Sequence, residues 1–191
     1  METVKIVPES DYAKMESIAI EYLEQETERF KAMYEKLPAA FAGYYIDDKL
    51  VGCAYGFPSP RGDDKCFSLD GIAMEWDYKA QGKGSKLLQF WEKCVYDLGF
   101  NRVDVGSAGG YVEHFYLKNG YKPLELKILV EGDGWKEKQK DYPFSVAELQ
   151  TQGKYNKLVI KATSYDEMDK DAITARYGGV DSFFVFEKVL P

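Results

Sequence analysis

The chain has 191 residues, of which 45% are hydrophobic and 30% charged, so it is long enough to bury the core of one compact domain. Its formal net charge of −7 argues against a nucleic-acid-binding surface, because neutralising phosphates requires clusters of Lys and Arg that this sequence does not show. A composition near the globular average argues against disorder over most of the length.

The cysteines and the apolar runs indicate the compartment. Cys53, Cys66 and Cys94 are odd in number and too far apart to form a CxxC pair, and no apolar signal segment precedes them. The apolar runs are strand length, far short of the about 20 residues needed to cross a bilayer. We therefore expect a cytoplasmic protein that is not inserted in a membrane.

The N-terminal part of the chain predicts a strand followed by helical structure. VKIVP has the composition of a short strand, and Pro8 and Asp11 supply stop and capping chemistry after it. Apolar residues then recur at helical spacing from Met15 to Leu23 and from Phe30 to Leu37, on either side of a Glu-rich turn. This pattern predicts two helices or one long bent helix.

The middle of the chain predicts a hairpin and then alternating strands and helices. GYYIDDKLVGCAYGF is typical of two strands joined by a tight polar turn. The expected elements after it are a buried strand CFSLDGIAME, a helix from Gly84 to Gly99, a strand RVDVG, a short helix at 112–118 and a strand LELKILV.

Beyond residue 130 the composition becomes polar before regular structure returns. Residues 131–144 predict a loop, and KLVIKA predicts a strand. Residues 166–177 predict an amphipathic helix stopped by Gly178, and SFFVFEKVL predicts a final strand.

The segment IAMEWDYKAQGKGSKLL carries the clearest chemical signal. A predicted strand leads into a loop with Gly82 and Gly84, which opens directly into an amphipathic helix. Glycines allow close approach to exposed backbone N–H groups, and the positive end of the helix dipole favours a phosphate there. Lys79, Lys83 and Lys86 add positive charge.

Spacing excludes two of the phosphate-binding motifs that this loop could represent. A Walker loop requires GxxxxGK[ST], but Asp77 stands five residues before Gly82 and Gly84 follows Lys83. The dinucleotide fingerprint GxGxxG requires a glycine where Leu87 stands.

The third motif is carried by Lys79-Ala80-Gln81-Gly82-Lys83-Gly84, preceded by Asp70-Gly71-Ile72-Ala73-Met74 and by Asp77-Tyr78. This stretch resembles motif A of the GNAT superfamily of N-acetyltransferases, whose pattern is Gln/Arg-x-x-Gly-x-Gly/Ala after a strand. Lys79 departs from the usual Gln or Arg at the first position.

A second match lies downstream. Phe115-Tyr116-Leu117-Lys118-Asn119-Gly120-Tyr121 is similar to the family's motif B, a Phe-Tyr pair at a helix end followed by Gly-Phe or Gly-Tyr. Gly109 and Val112 stand where the family often has a polar Asn and a small Ala. The resemblance covers roughly residues 3–130.

The resemblance implies a GNAT-like α/β fold with a mixed, splayed sheet flanked by helices. It implies a catalytic core over 1–130, an insertion or subdomain over 131–181 and a closing strand over 182–191. Acetyl-CoA is the implied donor. The implied donor-binding residues are Ile72, Ala73 and Met74 along the strand, and Lys79, Gln81, Gly82, Lys83, Gly84 and Ser85 in the loop.

The resemblance also implies direct attack of an amine on the thioester, with a base and an acid. Tyr116 is the candidate acid for the departing thiolate, and Asp70 is the candidate base, with Glu75 or a water as alternatives. We expect His114, the only histidine, to be an exposed or capping residue. Metal binding has no ligand cluster to support it.

The acceptor is not encoded in any motif. A small-molecule primary amine is expected, with a cationic amine as one candidate because the chain is acidic, and a homodimer is one expected assembly. Two alternatives stay open: an acyl-CoA-binding or regulatory module without catalysis, and a transferase that uses a longer acyl chain.

Overall fold

The computed structural model describes residues 1–61, 63–107, 109–140, 142–166 and 168–191. The predicted loop at 131–144 and the predicted helix at 166–177 each contain one position, 141 and 167, that lies outside the described residues. The backbone forms two compact units, one of Met1–Asp104 with Val189–Pro191, the other of Val105–Lys188. The domain boundaries predicted at 130 and 181 stay predictions.

The first unit contains an antiparallel ladder with helices. Its strands are β1 (Glu2–Ile6), β2 (Phe41–Ile46), β3 (Lys49–Pro58), β4 (Cys66–Met74) and the first part of β5 (Arg102–Gly106). Its helices are α1 (Tyr12–Leu23), α2 (Thr27–Lys36) and α3 (Lys83–Asp97), so the N-terminal helical region is two helices. β1, β2, β3 and β4 pair antiparallel in that order.

The predicted hairpin is confirmed as β2 and β3. Asp47 and Asp48 form its turn with positive φ angles of 47° and 63°, the backbone geometry that tight hairpins favour. The core of this unit is aromatic: the Phe41 and Tyr55 rings stack with their centroids 5.6 Å apart. The buried indole of Trp91 donates a 3.0 Å hydrogen bond to the carbonyl of Ala40, which attaches α3 to this core.

Strand β4 has different partners along its length. Its first three residues, Cys66 to Ser68, pair parallel with β5 at Arg102 to Asp104. The buried Asp104 carboxylate accepts hydrogen bonds from Ser68 and from Ser59, the latter at 2.9 Å. From Leu69 onward, β4 pairs with β3 on one edge. Its other edge has no ladder partner among the described residues of this unit, and we call it the open edge of β4.

The second unit is a four-stranded antiparallel sheet with three helices. Its strands are β6 (Lys122–Glu131), β7 (Glu148–Gln152), β8 (Tyr155–Lys161) and β9 (Gly179–Val189, whose last residue belongs to the first unit), in the order β9-β6-β8-β7. Its helices are α4 (Tyr111–Lys118), α5 (Trp135–Lys138) and α6 (Lys170–Tyr177).

The C-terminal third differs from the sequence expectations in three places. The loop predicted at 131–144 contains the short helix α5, and the strand β7 was not predicted. The polar β7 is held by its ladder with β8 and not by a hydrophobic pattern of its own. Helix α6 begins at Lys170 and not at 166, because the Asp169 carboxylate caps it by accepting a 2.9 Å hydrogen bond from the amide of Ala172.

The element order up to β6 is the one predicted, and the fold is the predicted mixed α/β class. In the part of the chain that the structure describes, no helix is both long and apolar enough to span a membrane.

Candidate functional site

The candidate site begins where β4 passes into α3. A 3₁₀ turn at Trp76–Tyr78 leads into the loop, in which Ala80 and Gly82 have positive φ angles of 59° and 75°. Gly82 is the N-cap of α3, and open space surrounds the position that a Cβ would occupy there. A left-handed conformation at Gly82 therefore turns the chain into the helix at little cost.

The start of α3 presents backbone donors. The amides of Lys83, Gly84 and Ser85 precede the first helical hydrogen bond, which the amide of Lys86 donates to the Gly82 carbonyl at 3.3 Å. No side chain caps this helix start among the described residues. Together with the helix dipole, these amides form a site suited to a phosphate group.

Polar side chains brace the loop from within. The Gln81 amide donates a 2.9 Å hydrogen bond to the Asp77 carbonyl, and the Lys83 ammonium donates to the Gln81 side-chain oxygen. Lys83 also lies 3.5 Å from the Glu2 carboxylate, which accepts a 2.6 Å hydrogen bond from Tyr44. Gln81 and Lys83 thus connect the loop to β1 and β2.

Lys79 is engaged in a contact that the sequence did not indicate. Its ammonium lies 3.4 Å from the centroid of the Trp76 ring and 5.1 Å from that of Tyr22. Cation–π attraction of this kind holds the side chain over the aromatic surface. The phosphate-binding capacity of the loop therefore lies in its backbone amides more than in Lys79.

The predicted strand residues Ile72, Ala73 and Met74 lie on the half of β4 that has the open edge. Their ladder partners on β3 are Ala54, Cys53 and Gly52. A Cβ on Gly52 would lie 2.8 Å from the backbone carbonyl oxygen of Ala73, so the close approach of the two strands favours glycine there. The open edge offers backbone N–H and C=O groups to an extended amide-containing chain in the manner of an added strand.

Asp70 occupies a β-bulge at the start of this open half. The register runs from the Tyr55–Gly71 pair to the Gly56–Leu69 pair, which leaves Asp70 without an opposite residue. Its Oδ1 accepts a 2.7 Å hydrogen bond from Arg29 of α2, and its Oδ2 is buried and has no hydrogen-bond partner among the residues that the structure describes. The contact with Arg29 was not anticipated from the sequence.

Glu75, the alternative base, is bound by two lysines. Lys14 lies 2.5 Å and Lys49 3.2 Å from its carboxylate oxygens. Burial would raise the pKa of Glu75, but hydrogen bonds from Lys14 and Lys49 outweigh it and hold the pKa below its ordinary range. A carboxylate engaged in this way is a poor proton acceptor.

Tyr116 lies on α4 in the second unit, whereas Asp70, the strand residues and the loop all lie in the first. Its buried ring packs against Tyr121 and Phe186, with centroids 5.5 Å and 6.0 Å away. Burial raises the pKa of Tyr116 above its ordinary value, so the phenol stays protonated at neutral pH. His114 on the same helix is exposed, and its ring lies 5.7 Å from that of Tyr165.

No group of three or more His, Cys, Asp or Glu side chains is arranged to hold a metal ion within the described ranges.

Comparison with known proteins gives a family match. Residues 9–121, more than half of the chain, match the model of the acetyltransferase (GNAT) family. This match includes β4, the glycine loop, α3 and Tyr116.

Solved structures are similar in fold at low identity. A GNAT-family acetyltransferase from Streptococcus pneumoniae aligns over 100% of both chains at 14% identity, with a TM-score of 0.57. A GNAT-family acetyltransferase from Elizabethkingia anophelis with acetyl-CoA bound aligns over 99% of this chain and 98% of its own, at 11% identity and a TM-score of 0.55.

N-acetylglutamate synthase from Neisseria gonorrhoeae, complexed with coenzyme A and N-acetyl-glutamate, aligns over 100% of this chain at 13% identity and a TM-score of 0.55. This chain spans 35% of that protein's length. At these identities the likeness shows the fold.

Proposed function

The chain belongs to the acetyltransferase (GNAT) family, and on that premise we propose that it transfers an acetyl group from acetyl-CoA to a primary amine. The observation that carries the proposal is the continuous path from the open edge of β4 into the glycine loop and the N-terminus of α3. An extended amide chain fits the strand edge, and a pyrophosphate fits the helix end, which are the two main parts of coenzyme A.

The donor would be held mainly by backbone groups. The amides of Lys83, Gly84 and Ser85 at the start of α3 would bind the pyrophosphate, in the loop conformation that Gly82 permits. The pantetheine amides would pair with Ile72 to Met74 along β4. Gln81 and Lys83 brace the loop, so its shape is formed before the donor binds.

The reaction is a direct acyl transfer. The neutral amine nitrogen attacks the thioester carbonyl carbon, the new C–N bond forms, and the C–S bond breaks to release the coenzyme A thiolate. The amine loses one proton to a base, and the thiolate gains one proton from an acid. The products are the acetylated amine and free coenzyme A.

Asp70 is the base that the contacts favour over Glu75. Two lysines engage the Glu75 carboxylate, whereas one Asp70 oxygen has no hydrogen-bond partner in the described part of the chain. That oxygen is buried and the other is bonded to Arg29. A proton from the amine would therefore reach Asp70 through a water molecule and not by direct contact.

Tyr116 is the proposed acid. A phenol that burial keeps protonated can donate its proton to a thiolate, and Tyr116 meets this requirement. Its ring is fixed by Tyr121 and Phe186, so its hydroxyl does not need to be ordered during the reaction.

One experiment tests the proposal. Purified protein is incubated with acetyl-CoA and a panel of primary amines, and free thiol is measured while calorimetry measures acetyl-CoA binding. Amine-dependent thiol release is expected. Binding without thiol release for any amine would instead identify an acyl-CoA-binding module, and faster release from propionyl-CoA or longer donors would identify a different acyl chain.

The segment 131–181 is proposed to shape the acceptor site or a homodimer contact. Its partly exposed aromatic residues Tyr142 and Phe144 and its exposed Leu149 support this proposal. Light scattering on the protein and on a Leu149→Ser variant tests the dimer part, and a monomeric mass for the wild-type protein would exclude it.

A further inference from the structure

Arg29 forms an ion pair with Asp70, the proposed base on β4, and the reaction described above gives Arg29 itself no role. Arg29 lies in the first turn of α2, and its guanidinium nitrogen is 2.7 Å from Asp70 Oδ1. The two residues are 41 positions apart in the chain, so the fold creates this pair.

The two partners are unequally exposed, and the exposed one is the cation. The Arg29 side chain is 49% exposed, whereas the Asp70 side chain is 14% exposed and its Oδ2 is buried. The pair therefore presents a guanidinium, not a carboxylate, to an approaching molecule. The buried carboxylate neutralises and orients that guanidinium from below.

The guanidinium is held in place from a second side. Its central carbon lies 5.5 Å from the centroid of the Phe57 ring on β3. Stacking on an aromatic face and an ion pair with a buried carboxylate together restrict the side chain before any ligand binds. Less conformational entropy is then lost when a ligand forms hydrogen bonds to it.

The strands that carry this pair are closely packed on their inner side. The Tyr55 ring on β3 is fully buried, and a Cβ at Gly71 would lie 2.7 Å from the Tyr55 hydroxyl and 2.6 Å from Leu23 of α1. Packed side chains of β3 and α1 therefore lie against the strand next to the bulge that carries Asp70. Arg29 is thus held by Phe57 of β3 and by Asp70 of β4.

The Arg29–Asp70 pair is next to the proposed donor site. Asp70 is two residues before Ile72, a separation of about 7 Å along an extended strand. The guanidinium therefore lies near the strand along which the thioester arm is proposed to run. An acceptor molecule that reaches the thioester would pass within the range of Arg29.

A guanidinium of this kind recognises a planar oxyanion. Only one of its nitrogens contacts Asp70 in the structure, and Arg has five N–H donors in a fork that fits a carboxylate. Glu26, directly before α2, and Glu28, in its first turn, are exposed and favour a positive group beside that oxyanion. The surroundings thus combine one oriented cation with neighbouring anions.

We infer that Arg29 selects the acceptor by binding its carboxylate, and that the acceptor is a zwitterionic amine, of which a free amino acid is the simplest form. This inference rests on the proposed acetyl transfer and narrows its acceptor class. It argues against a simple polyamine, which has no group for Arg29 to bind.

The experiment compares each primary-amine amino acid with the amine left by its decarboxylation, for example leucine with isopentylamine and lysine with cadaverine. kcat/KM is measured from thiol release at saturating acetyl-CoA. For the pair with the highest activity, the kcat/KM of the wild-type protein is expected to be about tenfold or more higher for the amino acid than for its amine. This is the effect of one charge-assisted contact.

Three variants locate that preference. Arg29→Gln is expected to reduce the ratio to near one, mainly through KM, and Arg29→Lys to restore it only in part, because an ammonium lacks the planar fork. Lys31→Gln is the matched control, since it removes an exposed positive charge from the same helix and should leave the ratio unchanged. Binding of acetyl-CoA should be equal in all four proteins.

The outcomes separate this inference from the proposed function. A wild-type ratio of one or less for every pair, or an Arg29→Gln variant that retains the preference, overturns the role of Arg29 while leaving acetyl transfer intact. If no amine releases thiol, the proposed function fails. Calorimetry with the same amino acids then tests carboxylate binding by Arg29 by itself: binding lost in Arg29→Gln supports that binding role, and absence of binding to the wild-type protein, or binding retained in Arg29→Gln, overturns it.

Discussion

Lys14 on α1 and Glu75 directly after β4 form an ion pair of 2.5 Å, and Lys49 on β3 approaches the same carboxylate at 3.2 Å. Glu75 is only 17% exposed, so water screens these contacts incompletely. The three residues attach a helix and a hairpin to the strand end from which the glycine loop departs.

Glu75→Gln is expected to destabilise the protein by about 1 kcal/mol at neutral pH, the range of a well-placed ion pair. The pKa of Glu75 is lowered in the folded state, so this stability is present above its ordinary value of 4.5 and is lost as the pH falls below it. Thermal unfolding of both proteins from pH 7 to pH 3 checks the prediction.

The difference between wild type and Glu75→Gln should shrink as the pH falls through that range. Glu35→Gln is the control, because its partner Lys31 is 3.8 Å away and both side chains are largely exposed. An equal loss of stability in the two variants would contradict the role given to Glu75.

Gly82→Ala tests the loop. A left-handed φ of 75° costs a residue with a Cβ about 1 kcal/mol, and the strain is expected to distort the backbone amides proposed to bind the donor. We expect acetyl-CoA affinity, measured by calorimetry, to fall about tenfold, the equivalent of one lost hydrogen bond.

Gly99→Ala is a matched control at the other end of α3. Gly99 also has a positive φ, 94°, and apart from its chain neighbours no described residue comes within 4 Å of the position for its Cβ. The two variants should lose similar stability, and only Gly82→Ala should lose donor affinity. Equal donor affinity in both would place the pyrophosphate elsewhere.

Tyr116→Phe tests the acid. The ring contacts with Tyr121 and Phe186 persist without the hydroxyl, so folding and donor binding should be unchanged. The rate constant kcat should fall about 100-fold, as for the loss of one general acid. Tyr34→Phe is the control, since its hydroxyl bonds the Val7 carbonyl at 3.1 Å in the other unit and has no proposed role in turnover.

Glu113 is predicted to contribute strongly to the folding stability of the second unit. Its buried carboxylate accepts hydrogen bonds of 2.6 Å from Tyr165 and 2.9 Å from Lys170. Glu113→Ala leaves the Lys170 ammonium, only 21% exposed, without this partner, and should cost about 3 kcal/mol.

A double-mutant cycle isolates that pair. Because removing both charges leaves neither one unpaired, the variant with Glu113→Ala and Lys170→Ala should be less destabilised than the sum of the single variants. Urea denaturation of the four proteins provides the free energies of unfolding. Strict additivity would show that the pair does not interact.

Much of the fold was predictable because its signals are local. Helical spacing, the hairpin turn at Asp47 and Asp48 and the stop at Gly178 each depend on a few neighbouring residues, and the structure has those elements. The failures are where local signals are weak. Strand β7 depends on pairing with β8, and the start of α6 depends on which of several acidic residues caps it.

The same distinction holds for the site. The sequence by itself predicted a glycine loop suited to an anion and indicated the family, because glycine spacing and the strand before it are local features of the chain. Only the tertiary structure decided what surrounds the candidate bases and the candidate acid. It places two lysines beside Glu75, Arg29 beside Asp70, and a buried environment around Tyr116. Charge pairing and burial depend on residues far apart in the chain, such as Lys14 and Glu75 at 61 positions, and such contacts leave no periodic pattern in the sequence.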